Sequence, residues 1–327
     1  MVATYNKSAI DSKKTNTALK ILMGILGFIC PIVIYYRIFQ KKEGTIGSKT
    51  VKCLVYTLFW CYAAILFLFV FWSLYNSVKD GEAFHYDTIS LPKELNISNY
   101  VLAYDLIQDN YGNNLITMFI NSLWFAVGSS VLSVLMHAVT GYIFAKYDFP
   151  LKNAAFSFIL FTLVIPIVGS LPSMYKVVLT LGIEESPLFL ITYLGGFGSN
   201  FLIMYAYFKG IDKTYMEAAE IDGAGRFLIF GKIMMPLAFA PCFALALLMF
   251  IGQWNNYETV LIFLETKSTL SSGLYLFDTF YAPFCGEPFY QTINMAGVVM
   301  ASIPVVIIVT LFGDKIMSNV SMGGIKG

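Results

Sequence analysis

Charged residues are scarce in this 327-residue chain, of which only 13% are Asp, Glu, Lys or Arg while 57% are hydrophobic. Soluble globular domains carry about 25% charged residues, so the composition excludes an ordinary soluble domain of this length. The formal net charge is +1, and this overall balance gives no reason to expect a nucleic-acid partner. The chain is predicted to lie in a lipid bilayer.

The residues that build metal, redox and nucleotide sites are also few. The five cysteines form no CxxC pair or disulfide framework, and the two histidines, His85 and His137, belong to no HExxH pattern. The stretch 225–233 has one residue too many between its glycines for a phosphate-binding loop, and Ile233 stands where Ser or Thr would hold magnesium. No GxSxG elbow or pair of mid-membrane carboxylates is present. We therefore assign no cofactor, no metal and no catalytic residue, and expect that the chain is not itself an enzyme.

Long apolar runs are what the sequence has in abundance. A membrane-spanning helix needs about 20 mostly apolar residues. Six runs meet this length: 53–75, 114–136, 154–175, 188–208, 237–257 and 292–312. They lack the ten-residue alternation of a membrane barrel, so the predicted fold is an all-α polytopic membrane protein with a six-helix core.

The basic residues predict the orientation of these helices. Lys and Arg number thirteen in segments 37–52, 145–153, 209–235 and 313–327, against four in the alternate segments. Because basic residues concentrate on the cytoplasmic side, we expect the first set and the C-terminus to be cytoplasmic. The opposite loops, 76–112 and 264–291, are interpreted as outward docking surfaces, with solvated connectors as the alternative.

The N-terminal region has no certain topology. Residues 19–36 are apolar enough to span a membrane but have lysines on both flanks and Pro31 in the middle. We treat residues 1–50 as an extension with an accessory apolar segment, 51–320 as the membrane domain and 321–327 as a cytoplasmic tail.

A polar loop, residues 209–236, interrupts the apolar pattern with four acidic and four basic side chains. Thr214 and Glu217 have the spacing of a capping box, which predicts a helix start. Gly223 can adopt the left-handed conformation that ends such a helix. A second helix is expected from about Arg226 to Pro236, where proline is tolerated in the first turn of the next span.

The same loop carries a specific motif. Glu217, Ala218 and Ala219 are followed at fixed spacing by Gly223, and then by Ile233 and Pro236; only Met235 departs from the usual leucine. This pattern resembles the EAA loop of ABC importer permeases. The resemblance implies that the loop docks in a groove of a cytoplasmic ATPase. The docking positions it implies are Glu217, Ala218, Ala219, Asp222 and Gly223.

Further stretches are similar to the carbohydrate branch of these permeases, which includes the second membrane subunit of the maltose importer. They are Asn121-Ser122-Leu123, Gly141 to Lys146 with Phe149, Pro166 with Pro172 and Tyr175, Ile221 to Ala224, and Gln253 to Tyr257. The resemblance implies a type I importer core that works with a second permease, two ATPase subunits and an extracellular solute-binding protein. Its implied cargo is a carbohydrate, with an oligosaccharide favoured.

Candidate cargo-contacting residues lie in the Gln253–Tyr257 stretch. Trp254 and Tyr257 could stack on a sugar face while Asn255 and Asn256 hydrogen-bond its hydroxyls. Asn121 is a further candidate for the substrate pathway. An interfacial aromatic belt is the alternative for the aromatic pair. A non-sugar importer, an ion-coupled carrier and a membrane enzyme remain alternative functions, although few ionisable residues lie deep in the spans.

Overall fold

The computed structural model describes residues 46–165, 169–281 and 290–322. Every regular element in these ranges is helical, as predicted. The α-helices are α1 Ile46–Ser77, α2 Gly81–Tyr86, α3 Ser98–Leu106, α4 Leu115–Lys146, α5 Lys152–Val164, α6 Ser170–Leu181, α7 Ser199–Gly210, α8 Thr214–Ile221, α9 Arg226–Ile229, α10 Met235–Leu237, α11 Phe239–Trp254, α12 Tyr257–Phe263, α13 Leu270–Leu276 and α14 Gln291–Met322. A 3₁₀-helix covers Pro187–Tyr193, and π-helical turns cover Phe230–Met234 and Phe277–Tyr281.

Three helices of the described ranges are long and apolar enough to cross a membrane, at Thr50–Ser77, Leu115–Lys146 and Gln291–Gly313. They coincide with the first, second and sixth predicted spans. The fifth corresponds to α11, which forms a bent pair with the preceding Arg226–Leu237 segment at 73°. The predicted segment 19–36 lies outside the described residues. The chain divides into two compact units, Met1–Tyr75 and Asn76–Gly327.

The third and fourth predicted spans are not single helices. In the third, α5 ends at Val164 and Ile165 is extended, the conformation that a following proline favours. In the fourth, the 3₁₀-helix ends at Tyr193 and α7 starts only at Ser199. Three of the five intervening residues are glycine, which lowers helix stability. The prediction of continuous helices over 154–175 and 188–208 was therefore wrong, although both regions remain apolar.

Helix α4 is central to the second unit. It starts at Leu115, after the N-cap residue Asn114, whose side chain accepts the Ile116 and Thr117 N–H groups at 3.1 and 3.0 Å. It packs along its length against α7 and α11. Gly141 permits the closest approach, because a Cβ there would lie 2.9 Å from the Tyr205 backbone nitrogen.

Polar side chains inside α4 are satisfied by its own backbone. The hydroxyls of Ser122, Ser129 and Ser130 donate to carbonyls four residues earlier at 2.6 to 2.8 Å. The imidazole of buried His137 contacts the Ser133 carbonyl in the same way. Helix interiors without water require such internal pairing, so Ser129, Ser130 and His137 serve the helix itself. Ser122 additionally accepts the Leu270 N–H at 2.8 Å.

Candidate functional site

The first helix of the polar loop starts where the sequence predicts, but with a different cap. Helix α8 begins at Thr214, and its N-cap residue is Lys213, without a side-chain cap bond. The Thr214 N–H donates instead to the Asp212 carboxylate at 3.0 Å, which holds the pKa of Asp212 below its usual range. The predicted capping box between Thr214 and Glu217 was wrong, because Asp212 lies two residues earlier and reaches the free N–H first.

The end of α8 follows the prediction. Gly223 has φ of 82°, in the left-handed region. The Ala224 N–H donates to the Ala219 carbonyl at 2.9 Å, and the Gly223 N–H donates to the Glu220 carbonyl at 3.0 Å. This pattern is typical of a glycine-terminated helix. The second helix follows as α9, the π-helical turn and α10. Pro236 lies within α10, before the 73° bend to α11, and not in the first turn of the next span as the sequence predicts.

The loop has one buried face and one exposed face. Met216 and Ala219 of α8 are buried against Ile229 and Phe208. Ala219, a predicted docking position, therefore packs on the buried side of the loop. Glu217, Ala218, Asp222 and Gly223 are exposed beside two large apolar side chains, Ile221 at 86% and Phe227 at 94% exposure.

The polar loop is fixed to the last turn of α4 by a group of contacts that we call the clamp, formed by Tyr142, Lys146, Tyr147 and Arg226. The Lys146 ammonium donates to the carbonyl of Ile211, just before α8. The Tyr142 and Tyr147 hydroxyls share a hydrogen bond at 3.1 Å. The Arg226 guanidinium lies 5.5 Å from the centre of the Tyr147 ring.

Phe230 extends the clamp from the opposite side. Its ring centroid lies 5.0 Å from that of Tyr142, which also contacts Phe208 at 5.5 Å. Sequence reasoning missed the clamp because about 80 residues separate its two halves, and no local pattern predicts a pairing over that distance. The family resemblance of the Gly141 to Lys146 stretch covers the α4 half of the clamp, but it does not indicate which residues contact it.

A family profile matches this region of the chain. The profile of the binding-protein-dependent transport system inner membrane component family covers residues 137–318, more than half of the chain and all of the polar loop. The chain belongs to that family. It is therefore a membrane-embedded importer permease, and the fold class and family predicted from the sequence are confirmed.

Individual permeases show the same similarity. The arabinooligosaccharides transport system permease protein AraQ of Halalkalibacterium halodurans is 32% identical over 64% of this chain and 74% of its own length. Its Bacillus subtilis counterpart is 29% identical over 83% of this chain and 95% of its own length. A solved bacterial ABC transporter involved in the import of the acidic polysaccharide alginate has a chain with TM-score 0.68, covering 84% of this chain and 99% of its own length at 22% identity, which shows the shared fold.

In this permease the predicted cargo residue Trp254 lies in the interior. It is 3% exposed, its indole N–H donates to the Ala301 carbonyl at 3.2 Å, and its ring packs against Phe119 and Phe250. These contacts join α11 to α4 and α14. Its assignment to the pathway stays a prediction, and the geometry gives it a packing role.

The polar neighbours of Trp254 form a small network. Asn255 is exposed and donates to the Ile251 carbonyl at 2.8 Å. Asn256 caps α12 by accepting the Thr259 N–H and donates to the Gln253 side chain at 3.0 Å. Gln253 also accepts the Tyr193 hydroxyl at 3.1 Å. Sequence reasoning included neither Gln253 nor Tyr193 among the candidate site residues.

Tyr257 and Asn121 lie elsewhere. The Tyr257 ring stacks on Tyr275 with centroids 4.6 Å apart, and Tyr275 is 39% exposed. Asn121 lies on α4 and donates to the Ser268 carbonyl at 3.0 Å. The five predicted pathway residues therefore belong to at least three separate local arrangements. Of these, the Tyr257–Tyr275 pair is more exposed than Trp254.

Lys79 is a further buried polar residue that the sequence marks only as a lone lysine after an apolar run. It is 3% exposed, and its ammonium donates to the carbonyls of Asp87 and Ser90 and to the Ser90 hydroxyl. The Asp87 carboxylate accepts the Ile89 and Ser90 N–H groups, which lower its pKa to about 2. These bonds fix the shape of the 79–90 loop.

Proposed function

We propose that this permease is one of two membrane subunits of an ABC importer for a carbohydrate, and that the polar loop couples it to cytoplasmic ATPase subunits. The observation that carries the proposal is the two-faced construction of the loop. Its buried face is integrated with α4 and α7, whereas its exposed face presents Glu217, Ala218, Ile221 and Phe227. The exposed positions that resemble the EAA motif thus lie in the same loop as two exposed apolar side chains, Ile221 and Phe227, which we call the apolar projection.

The exposed face has the chemistry of a protein-docking surface. Ile221 and Phe227 lie in a loop with eight charged residues, which does not suit contact with lipid tails. Covering each of these side chains would contribute roughly 1.5 to 3 kcal/mol. The small Ala218 side chain lets a partner groove approach α8 closely, and Glu217 provides a carboxylate for a basic residue of the partner.

The distribution of Lys and Arg predicts that the polar loop and the C-terminus lie on the same side of the membrane. If the polar loop binds an ATPase, it lies in the cytoplasm together with the C-terminus. The Leu115 end of α4 is then outward, and the predicted outward loops, 76–112 and 264–291, face the extracellular solute-binding protein. A second, similar permease completes the pathway, and ATP hydrolysis belongs to the partner subunits.

The carbohydrate cargo is supported by the relatives rather than by a bound ligand. Besides arabinooligosaccharides, their names include maltodextrin in Bacillus subtilis and diacetylchitobiose in Streptomyces coelicolor. An oligosaccharide is therefore the favoured cargo class. Uptake of labelled mono- and oligosaccharides in a strain lacking this chain tests it. We expect loss of oligosaccharide uptake; normal uptake of every sugar, with loss of a peptide or amino acid, would overturn the carbohydrate assignment.

Docking is tested by shortening the apolar projection. Phe227→Ala is expected to reduce the amount of ATPase that copurifies with the permease about tenfold, because one large contact of the interface is removed. Phe239→Ala is the matched control, since Phe239 is also an exposed phenylalanine, at 65%, but lies outside the loop in α11. Equal copurification of the ATPase with both variants would reject the loop as the docking site.

A further inference from the structure

Helix α4 has a separate set of contacts at each end, and neither set is explained by membrane spanning alone. The Lys146 end carries the clamp described above. The Leu115 end holds the segment 265–273, which connects α12 to α13. The two ends are separated by 32 residues of uninterrupted helix, about 48 Å at the α-helical rise.

The contacts at the Leu115 end are specific hydrogen bonds to the backbone of that segment. Ser122 accepts the Leu270 N–H at 2.8 Å, and Asn121 donates to the Ser268 carbonyl at 3.0 Å. The side chain of Met118 fills the space over Gly273, where a Cβ would lie 2.3 Å from the methionine sulfur. The segment is thus seated on one turn of α4.

The contacts at the Lys146 end belong to the polar loop on both sides of its exposed face. Lys146 holds the backbone at Ile211, before α8, whereas Tyr147 holds Arg226, after α8. The chain on each side of α8 therefore has one contact with the C-terminal end of α4. The buried Tyr142 ring contacts the rings of both Phe208 and Phe230, so it adds an aromatic contact between α4 and the polar loop.

We propose that α4 transmits the ATPase-driven movement of the polar loop to the 265–273 segment. In this proposal Arg226, Tyr147, Tyr142 and Lys146 are positioning residues at one end, and Asn121 and Ser122 are positioning residues at the other. Asn121 then acts through the outward segment and not by touching cargo. The proposal rests on the proposed ATPase docking, because without a docked ATPase no force reaches the clamp.

The test uses the assembled importer in lipid vesicles and compares ATP hydrolysis with and without the cargo-loaded binding protein. Arg226→Gln removes the cation from the Tyr147 ring and is expected to lower this stimulation about two- to fivefold, with basal hydrolysis and ATPase copurification unchanged. Arg226→Lys keeps the cation and should restore most of the stimulation.

Lys209→Gln is the matched control. The Lys209 ammonium lies 5.5 Å from the Tyr205 ring centre, the same distance as in the Arg226 contact, but both residues belong to α7, so this contact does not join α8 or α9 to Tyr147. Its stimulation should equal that of the unaltered chain. Equal losses from Arg226→Gln and Lys209→Gln would overturn the clamp as a transmission contact.

A double variant tests whether the two ends act through one helix. Ser122→Ala is expected to lower stimulation on its own, and Arg226→Gln combined with Ser122→Ala should lose little more than the worse single variant. Sites this far apart normally contribute independently, so independent contributions would overturn α4 as the link. If the ATPase does not copurify even with the unaltered chain, the proposed docking is rejected instead. Copurification therefore distinguishes failure of the docking from failure of α4 as the link.

Discussion

The polar loop and the 79–90 and 265–273 loops are all fixed to helix ends, but by different interactions. Besides the hydrogen bond from Lys146 to Ile211, the polar loop is held mainly by apolar and aromatic side chains, including the buried Met216 and Ala219 and the half-buried Phe230. The other two loops are held by hydrogen bonds in which Lys79 and Asn121 donate to backbone carbonyls and Ser122 accepts a backbone N–H. Apolar burial is non-directional, whereas a hydrogen bond weakens steeply when its angle changes. The polar loop is therefore built to tilt without losing its support, and the other two loops are built to keep one register.

The largest effect is expected from removing the buried Lys79 ammonium, which donates to backbone carbonyls. Lys79→Met keeps most of the side-chain volume but leaves the carbonyls of Asp87 and Ser90 without their donor. We expect a loss of about 3 kcal/mol in loop stability, since hydrogen bonds to charged groups contribute the most. Limited proteolysis between residues 85 and 98 measures this loss. Lys93→Met, at an exposed lysine of the same region, is the control, and equal protection of both variants would contradict the prediction.

Gly141 of α4 and Gly273, which packs against Met118 of α4, allow the packing at the two ends of α4 to be compared by adding a methyl group at each. At Gly141 a Cβ would meet backbone of α7, whereas at Gly273 it would meet the flexible end of Met118. Gly141→Ala is expected to cost about 2 kcal/mol, because the helices must separate. Gly273→Ala should cost less, because the methionine can change rotamer. Thermal unfolding in detergent compares the two variants, and the reverse order would show that Met118 is more rigidly held than the α7 backbone.

Gly223 tests the apolar-held loop by backbone strain alone. A Cβ there would meet no atom within 4 Å, so only its φ of 82° opposes a side chain. Gly223→Ala is expected to cost about 1 kcal/mol and to weaken ATPase copurification severalfold by shifting α8 relative to α9. Gly223→Asn should be milder, because asparagine tolerates the left-handed region. Identical copurification of the alanine variant and the unaltered chain would mean that the turn is not needed for docking.

The smallest effect concerns acid stability of the 79–90 loop. The folded pKa of Asp87 is lowered to about 2 from 3.8, so its contribution is present above pH 3.8 and is lost as the pH falls toward 2. Hydrogen exchange of the Ile89 and Ser90 amides should accelerate relative to neighbouring amides across this window. Asp87→Asn should remove the acid-dependent part of the change. A window unchanged by Asp87→Asn would assign the dependence to another group.

How much of this was predictable differs between residues. The turn at Gly223 and the second helix to Pro236 follow from local preferences, so the sequence predicts them well. The capping box at Thr214 failed because the Asp212 carboxylate accepts the Thr214 N–H that the box assigns to Glu217. The break at 194–198 had a signal in its three glycines, but hydropathy alone predicts a continuous span. Contacts such as Arg226 with Tyr147 or Asn121 with Ser268 join residues distant in sequence, and only the fold brings them together.

The 73° bend between the Arg226–Leu237 segment and α11 has a directional consequence. Two helical rods joined at nearly a right angle do not share an axis, so a push along the first is delivered to the second mostly as a sideways swing. If the polar loop moves with its ATPase, α11 would sweep across the membrane plane instead of sliding through it. The residues at its far end, Gln253 and Trp254, would then travel the greatest distance.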